Sequence, residues 1–280
     1  MSKQGAREIR PKEPPRTIEL SRIDAYAINQ VSASDIQAFH DCPRKFYLQR
    51  ILRLGELIDR DPTNASNRGS LIHLLLEWGS NEQASTLFAR NQIPKKDADE
   101  ICAIIESFQK SAFVQDLYSS EKLVKEYAFY LRLSEDGQAP RYLKGFIDAM
   151  ATQADDSLLI VDYKTGTGRV NVAGFQTQAD CYGLAGLVRG APHVQVVMVR
   201  PEVTDDQGEP ETFRFAYERA QVQEMRQKLL ALIDAMEDAE NASLDAVDAS
   251  YCARFCNVPV GLCPKVDQRV TGALQAVALS

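Results

Sequence analysis

The order of hydrophobic and polar positions divides the chain into a helical first part and a mixed second part. Ser32 followed by Asp35 is a helix-capping pattern, and apolar residues at helical spacing come after it. Pro43 ends or restarts that helix, because proline cannot continue a helical hydrogen-bond pattern. Further helices are predicted from Gly69, in the apolar run GSLIHLLLEWG, and after Pro94.

The period of the pattern changes after residue 120. Three segments rich in β-branched and aromatic residues, separated by turn residues, predict a β-meander over 123–133, 142–150 and 158–164. The remaining elements are predicted as a helix over 172–188, strands over 193–199 and 211–217, and an acidic helix to about residue 240. This order predicts an α/β (α+β) fold with a central mixed β-sheet flanked by helices.

The ends of the chain differ from its middle in composition. Residues 1–30 are rich in charge and proline and show no period, which predicts a loosely ordered N-terminal arm. We expect a single domain over 31–265, with a helical insertion at about 69–120 and a cysteine cluster at 252–263, and then a C-terminal tail over 266–280. A chain of 280 residues can bury a sufficient core without disulfides.

Net charge is informative only together with its distribution. The 32 Lys and Arg against 39 Asp and Glu leave a net charge of −7, which argues against a protein that coats nucleic acid through bulk positive charge. Residues 200–250, however, contain 13 acidic and 5 basic residues, so the rest of the chain is nearly neutral. A local basic face toward a polyanion stays open, and the candidate phosphate contacts are Arg44, Lys45, Arg50, Arg53 and Arg169.

Hydropathy and cysteine usage indicate the compartment. No apolar stretch reaches the roughly 18–20 residues that cross a bilayer, and the N-terminus lacks the apolar region of a signal peptide. We therefore expect no membrane association and a cytoplasmic protein. In that reducing setting, thiols or metal ligands are a better interpretation of the 6 cysteines than disulfides. Cys102 and Cys181 lie on apolar helical faces, which predicts small buried side chains.

Two carboxylates and a lysine form the strongest chemical pattern. Asp148 and Asp162 lie on consecutive predicted strands, and antiparallel neighbours can bring both to one end of the sheet, where their oxygens attract a cation such as Mg²⁺. Because side chains alternate along a strand, Lys164 shares the face of Asp162, beside that cation. An Asp-x-Lys triplet alone is typical of a solvated strand, but both acids adjoin apolar runs, where an unpaired carboxylate is costly.

His73 lies within the apolar helix that contains the run LIHLLLEW. For a lone histidine the favoured interpretation is a core residue hydrogen-bonded to the backbone. The alternative is a neutral imidazole that completes the coordination of a cation held by Asp148, Asp162 and the main-chain carbonyl of Tyr163. Glu77 follows one helical turn later on the same face.

Gln178 and Tyr182 lie four residues apart in the helix predicted over 172–188. This spacing places the amide and the phenol on one helical face. They either contact a DNA strand or brace Lys164, or they are simply the polar rim of an amphipathic helix. Spacing alone does not separate these interpretations.

Four cysteines suggest a second metal site. Cys252, Cys256 and Cys263 fall in the segment CARFCNVPVGLCP, whereas Cys42 stands near the start of the predicted domain. Together they make a four-thiolate site that would join the two ends of the chain, suited to a [4Fe–4S] cluster or to Zn²⁺. The spacing differs from the paired C-x-x-C knuckles of zinc ribbons, which favours the cluster.

Taken in order, these motifs resemble one family. The pieces are CPRKFY at Cys42, GSLIH at His73, GFID at Asp148, DYKTG at Asp162, QADCY at Gln178 and the terminal cysteines. Their conjunction over roughly residues 32–265 is similar to the RecB-like branch of the PD-(D/E)XK nucleases. Within it, the chain most resembles the iron–sulfur members, which include CRISPR-associated adaptation nucleases, AddB-type nuclease domains and phage or bacterial exonucleases.

The resemblance implies a restriction-endonuclease-like core and roles for individual residues. It implies Mg²⁺ or Mn²⁺ ligands at His73, Asp148, Asp162 and the carbonyl of Tyr163. It implies a catalytic role for Lys164, a supporting motif at Gln178 and Tyr182, and an acidic position of secondary importance at Glu126. It implies a [4Fe–4S] cluster, with Zn²⁺ as the alternative occupant, at Cys42, Cys252, Cys256 and Cys263. The last three cysteines are separated by three and six residues, one more in each loop than the usual pattern.

The function that the resemblance implies is metal-dependent hydrolysis of DNA, with exonuclease action at ends or on single strands. The setting would be DNA recombination, repair, phage DNA processing or CRISPR spacer acquisition, with helicase, recombination or CRISPR adaptation proteins as partners. The alternative hypothesis is a non-catalytic DNA-binding or scaffolding subunit that keeps the same fold. Retention of Asp148, Asp162 and Lys164 together favours the enzyme.

Overall fold

A computed structural model describes residues 27–54, 64–78, 84–120, 122–168 and 170–237, together with residues 256, 258, 262, 263 and 265 near the C-terminus. Most of the predicted N-terminal arm, the tail over 266–280, Arg169 and Cys252 lie outside the described residues. The first regular element begins at Gln30.

Helices precede and follow a group of strands, as the hydrophobic pattern predicts. The helices are α1 (Ala33–Asp41), α2 (Pro43–Phe46) with a π-helical turn (Tyr47–Ile51), α3 (Asn64–Trp78), α4 (Ala84–Arg90), α5 (Lys95–Lys110), α6 (Ala112–Tyr118), α7 (Val172–Val188) and α8 (Val222–Glu237). The strands are β1 (Gln30–Ser32), β2 (Leu123–Arg132), β3 (Tyr142–Thr152), β4 (Leu158–Tyr163), β5 (His193–Thr204) and β6 (Pro210–Glu218).

The strands form one mixed sheet flanked by helices, which confirms the predicted fold class. The strand order is β1-β3-β4-β5-β6, and β2 pairs with β3. The pairs β1–β3 and β4–β5 are parallel, whereas β2–β3, β3–β4 and β5–β6 are antiparallel. The antiparallel run from β2 to β4 is the β-meander that the sequence predicts.

Strand β3 has an opening along one edge. Its residues 142–144 pair with β1 and its residues 149–152 pair with β4, while β2 pairs along the other edge over 142–151. A strand has only two hydrogen-bonding edges, so β1 and β4 share one of them. Residues 145–148 therefore have no strand beside them on that edge in the described part of the chain. We call this opening the sheet gap.

Two hydrophobic cores lie on opposite faces of the sheet, and β4 supplies both. Every residue of β4 is buried. Its Leu158 and Ile160 pack into the core that includes α1, α7 and α8, whereas Leu159 and Val161 pack into the core that includes α3 to α6. A strand covered on both faces needs apolar residues at successive positions, which explains the run LLIV before Asp162.

Helix α7 lies close against β6 because glycine, which has no side chain, stands at the contact. A Cβ atom at Gly183 would lie 2.5 Å from the ring of Tyr217, so only glycine allows this approach. On the same side, Asp180 accepts a hydrogen bond from the Tyr217 hydroxyl at 2.9 Å and forms an ion pair with Lys228 at 2.6 Å. These contacts fix the position of α7, which also carries Gln178.

Some elements differ from the sequence prediction. The pattern does not predict β1 or α4, which are 3 and 7 residues long, too short for a period to show. Helix α3 begins at Asn64, earlier than the predicted start at Gly69. None of the described helices has the length and apolar character needed to cross a membrane.

Replacing Gly183 by alanine is expected to lower the free energy of unfolding by about 1–3 kcal/mol, because the new methyl group overpacks the contact with Tyr217. Val188→Ala, at a site on the same helix that is 38% exposed, is the control and should change stability by less than about 0.5 kcal/mol. Urea unfolding followed by circular dichroism measures both. Equal stability of Gly183→Ala and the parent protein would contradict the close packing.

Candidate active site

Asp148 and Asp162 face each other at the sheet gap. The register of β3 and β4 places them opposite one another, one step beyond the last pair, Ala149 and Val161. Asp148 Oδ2 accepts a hydrogen bond from the main-chain N–H of Tyr163 at 2.6 Å. Asp162 is 3% exposed, so its carboxylate lies inside the protein. The two acids are therefore neighbours, as the antiparallel arrangement predicts.

The two carboxylate oxygens of Asp162 have different surroundings. Oδ1 accepts hydrogen bonds from the Tyr182 hydroxyl at 2.9 Å and from Gln178 Nε2 at 3.3 Å. Oδ2 is buried and has no hydrogen-bond partner of suitable angle, although Lys164 Nζ lies 2.6 Å away as an ion pair. At this distance the Lys164 ammonium neutralises the charge on Oδ2. The lone pairs of Oδ2 accept no well-aligned hydrogen bond.

Gln178 and Tyr182 brace the lysine and the aspartate together. Gln178 Oε1 accepts a hydrogen bond from Lys164 Nζ at 2.6 Å, and its Nε2 donates to the Tyr182 hydroxyl at 2.9 Å. The ring of Phe175 lies 5.7 Å from the same ammonium. Residues on one face of α7 thus set the position of Lys164 relative to Asp162, which is the bracing arrangement considered from spacing.

His73 lies beside Asp148, on helix α3. Its Nδ1 is 3.7 Å from Asp148 Oδ2, and its ring packs edge to face with that of Tyr163 at 6.2 Å. Burial lowers the pKa of His73 below its usual value, although the nearby Asp162 opposes this. The imidazole is therefore neutral at pH 7 and has a nitrogen lone pair, as a metal ligand requires.

The carboxyl groups around the gap disfavour one another's charge. Burial, followed by the negative charge of Asp162, raises the pKa of Asp148 to about 8. Burial and then the charges of Glu77 and Asp162 raise the pKa of Glu126. Two neighbouring buried carboxylates are stable in the ionised form only with a compensating positive charge. Lys164 supplies one such charge.

A cleft of about 520 Å³ opens beside Asp148. His73, Glu77 and Glu126 line it. Glu126 has φ 48°, in the left-handed region, and stands where β2 would pair with Asp148, a position at which the regular register is interrupted. This local distortion lies on β2, the strand that pairs with the other edge of β3, and the cleft beside it is lined by acidic side chains.

Arg200 and Glu202 hold the loop after Lys164, and the sequence analysis missed both. Arg200 donates to the carbonyls of Gly166 and Gly168 at 2.7 and 2.8 Å, and it is 6% exposed. Glu202 accepts a hydrogen bond from the Gly166 N–H and forms an ion pair with Arg68 of α3. Both follow the apolar run HVQVVMV, the same signal that identifies Asp162 after LLIV.

The cysteine segments lie near each other. Cys42 and Cys263 are buried and Cys256 is half-buried, and Cys263 and Val258 pack against Leu48. Burial and the proximity of Cys256 and Cys263 raise the pKa of the Cys42 thiol, while backbone hydrogen bonds oppose this. Cys252, the fourth predicted ligand, lies outside the described residues.

The interpretation of Arg44 as a phosphate contact is wrong. Arg44 is 7% exposed, and its guanidinium donates to the carbonyl of Leu262 at 2.8 and 3.1 Å. It therefore joins the first cysteine segment to the last. Arg50 pairs with Asp35 at 3.0 Å but keeps half of its side chain exposed. Cys181 is buried, as predicted, whereas Cys102 is only half-buried, so the same prediction for Cys102 is wrong.

The donor atoms at the gap fit a hard divalent cation. No group of three His, Cys, Asp or Glu side chains converges on a single metal position in the described part of the chain. Asp162 nevertheless presents a buried carboxylate beside the half-buried carboxylate of Asp148, and Oδ2 of Asp162 has no hydrogen-bond partner apart from its ion pair with Lys164. Carboxylate and carbonyl oxygens are the ligands that Mg²⁺ and Mn²⁺ prefer.

Comparison with known proteins gives the family. The model of the PD-(D/E)XK nuclease superfamily matches residues 30–264. The chain belongs to the PD-(D/E)XK nuclease superfamily. The match includes the sheet gap, α7 and both cysteine segments, and no narrower branch is named by it. Membership indicates a metal-dependent nuclease that acts on DNA, and members of this superfamily usually use Mg²⁺ or Mn²⁺.

Other comparisons add little to this superfamily assignment. No curated protein matches the chain. A solved structure titled "Crystal structure of SSO0001" is 14% identical, with 86% of this chain and 91% of that chain covered and a TM-score of 0.42. A likeness at this TM-score carries no argument about function.

The raised pKa of Asp148 makes stability depend on pH. Between the ordinary pKa of an aspartate, 3.8, and about 8, the folded protein binds this proton while the unfolded chain releases it, so stability falls as pH rises through this window. The slope from this group is at most about 1.4 kcal/mol per pH unit. In EDTA, Asp148→Asn should flatten the decline measured by urea unfolding at several pH values. An unchanged slope in the variant would show that Asp148 does not cause it.

Proposed function

We propose that this protein is a metal-dependent exonuclease that hydrolyses phosphodiester bonds at DNA ends. The observation that carries the proposal is the connected set Asp162, Lys164, Gln178 and Tyr182 beside Asp148. A solvated strand face would leave these groups apart in water. Here an acid, a lysine and their two supports meet at a gap in the sheet, next to an open cleft.

Each side chain has a role in this proposal. Asp148, Asp162, the Tyr163 carbonyl and the neutral His73 would hold Mg²⁺ or Mn²⁺, which when bound supplies positive charge at the scissile phosphate and acidifies a water molecule. The ammonium of Lys164 orients the attacking water and stabilises the negative charge that develops on the phosphate oxygens.

Gln178 and Tyr182 are positioning residues in this account. They fix the distance between the Lys164 ammonium and the Asp162 carboxylate, so that neither group has to rearrange during the reaction. Glu126 and Glu77 line the cleft on its far side and add negative charge that attracts cations. The setting we propose is DNA recombination, repair, phage DNA processing or CRISPR spacer acquisition.

Asp162→Asn and Lys164→Met are expected to reduce cleavage of linear DNA in Mg²⁺ by at least about 100-fold, because each removes a charge that acts on the reacting phosphate. Asp116→Asn and Lys96→Met, at exposed positions outside the site, are the matched controls and should cleave at the parental rate. The readout is release of labelled nucleotide from an oligonucleotide. Parental activity in either site variant would remove this site assignment.

The same assay separates the kinds of nuclease. An exonuclease degrades a linear single strand and spares a covalently closed circle of the same sequence. Cleavage of both at similar rates would replace the exonuclease with an endonuclease. Binding without cleavage of either substrate, in Mg²⁺ and in Mn²⁺, would favour the non-catalytic DNA-binding subunit.

We also propose that the cysteines hold a [4Fe–4S] cluster, with Zn²⁺ as the alternative, as in the iron–sulfur branch of the superfamily. The proposal is supported by the packing of Cys263 against Leu48 and by the hydrogen bonds of Arg44 to Leu262, which bring the last cysteine segment to the first, and thiolates are soft donors that suit either occupant. Anaerobically purified protein should contain about four irons per chain and absorb broadly in the visible region. A colourless protein with stoichiometric zinc would overturn the cluster.

A further inference from the structure

A second pocket lies beside Gln178 and Tyr182, and the proposed nuclease reaction does not use it. Its volume is about 660 Å³, within the range of small-molecule sites. Gln178 and Tyr182 line it together with Phe129, Tyr130 and Phe146. The pocket lies at the sheet gap, where β3 has no neighbouring strand, and we call it the aromatic pocket. Its wall is thus shared with the residues that position Lys164 and Asp162.

Two of its aromatic side chains are unusually open to solvent. Tyr130 is 61% exposed and Phe146 is 62% exposed. Large apolar side chains that stay exposed next to one another indicate a binding surface, because burial would otherwise remove them from water. Tyr130 is also held in place, since its ring stacks on that of Tyr142 with centroids 4.7 Å apart and an interplanar angle of 23°. This contact orients the Tyr130 ring before any ligand arrives.

The deeper wall of the pocket is built by a close approach. Phe129 stands opposite Gly145 in the register of β2 and β3, and a Cβ atom at Gly145 would lie 2.8 Å from its ring. Glycine at this position lets the ring lie over the strand. The ring of Phe129 then meets that of Tyr182 edge to face at 6.2 Å. Phe129 and Tyr182 thus form an aromatic contact on the α7 face of the sheet, whereas Tyr130 and Phe146, which alternate with Phe129 and Gly145 along their strands, point to the opposite face.

Polar groups at the rim suit a nucleotide. Lys144, the cross-strand partner of Tyr130, lines the pocket and supplies a positive charge for a phosphate. Ser34, at the start of α1, adds a hydroxyl group that can reach a base edge, whereas the Ser32 hydroxyl is already hydrogen-bonded to Asp35 as the cap of the helix. A planar base with hydrogen-bonding edges and an attached phosphate matches this combination of aromatic, hydroxyl and cationic groups.

We propose that the aromatic pocket binds an unpaired nucleobase of the DNA strand whose phosphate is cleaved at Asp162 and Lys164. The inference rests on the proposed nuclease function and specifies its substrate as unpaired strands. A base can enter the pocket only when it is neither paired nor stacked in a duplex. The rings of Tyr130 and Phe146 stack on the base, Lys144 contacts its phosphate, and the DNA strand then continues to the catalytic centre.

Binding to a labelled oligothymidylate tests this directly, with an abasic strand of equal phosphate count as the second probe. Fluorescence anisotropy in Ca²⁺ reports affinity without requiring cleavage. The parent protein should bind the abasic strand about tenfold or more weakly, because base–aromatic stacking is lost. Phe146→Ala and Tyr130→Ala should each weaken binding of the thymidylate strand about tenfold and leave abasic binding within about twofold.

Two further variants complete the experiment. Lys144→Ala should weaken binding of both strands and lower the salt slope by about one unit, as expected for a phosphate contact. Val124→Ala, at a 42% exposed apolar site on the same strand as Tyr130, is the matched control and should bind both strands as the parent does. Thermal melting of every variant checks that the fold is retained.

The outcomes separate this inference from the proposed function. Equal losses for both strands in Phe146→Ala and Tyr130→Ala, or no loss for either, would overturn the base pocket even if the parent protein cleaves DNA. The predicted difference between strands in a parent protein that cleaves nothing would support the pocket and remove the nuclease proposal. Failure of the parent protein to bind the thymidylate strand would overturn the base pocket and leave the nuclease proposal to the cleavage assay.

Discussion

Two carboxyl groups held side by side inside the protein are the constraint on which the rest of the structure depends. Asp148 and Asp162 end up opposite each other because two antiparallel strands meet at a gap in the sheet. Burial, and then the negative charge of the neighbouring Asp162, oppose ionisation and raise the pKa of Asp148 to about 8. The neighbouring ammonium of Lys164, the Tyr182 hydroxyl and the Tyr163 N–H offset that penalty in part.

The surrounding fold keeps this arrangement rigid. Strand β4 is packed on both faces, and this packing holds Asp162, which follows the apolar run LLIV, at the gap. Helix α7 is held against β6 on one side by Gly183 and Asp180, and on its other side it presents Gln178 and Tyr182 to the acids. The unusual features, an acidic cleft and an exposed aromatic pocket, lie on either side of a site whose supports are fixed. Rigid support beside open surfaces is what a preorganised site requires.

Sequence patterns predict those parts of the structure in which hydrophobic residues recur at a regular spacing. The meander, the helix over 172–188 and the mixed sheet follow from them, and the neighbourhood of Asp148 and Asp162 follows from antiparallel pairing. Short elements such as β1 carry no period, and the left-handed Glu126 depends on tertiary contacts. The buried position of Arg44 cannot be predicted from a pattern either, since only the fold brings Leu262 to it. The sheet gap and its pocket need strand registers that no pattern supplies.

Locating a bound cation tests the central claim most directly. Crystals soaked in Mn²⁺ and measured at the manganese absorption edge would show the metal by anomalous diffraction. The account predicts a strong peak in contact with carboxylate oxygens of both Asp148 and Asp162, which is lost in Asp162→Asn. A peak elsewhere in the protein with none between these two acids would contradict the role assigned to the pair.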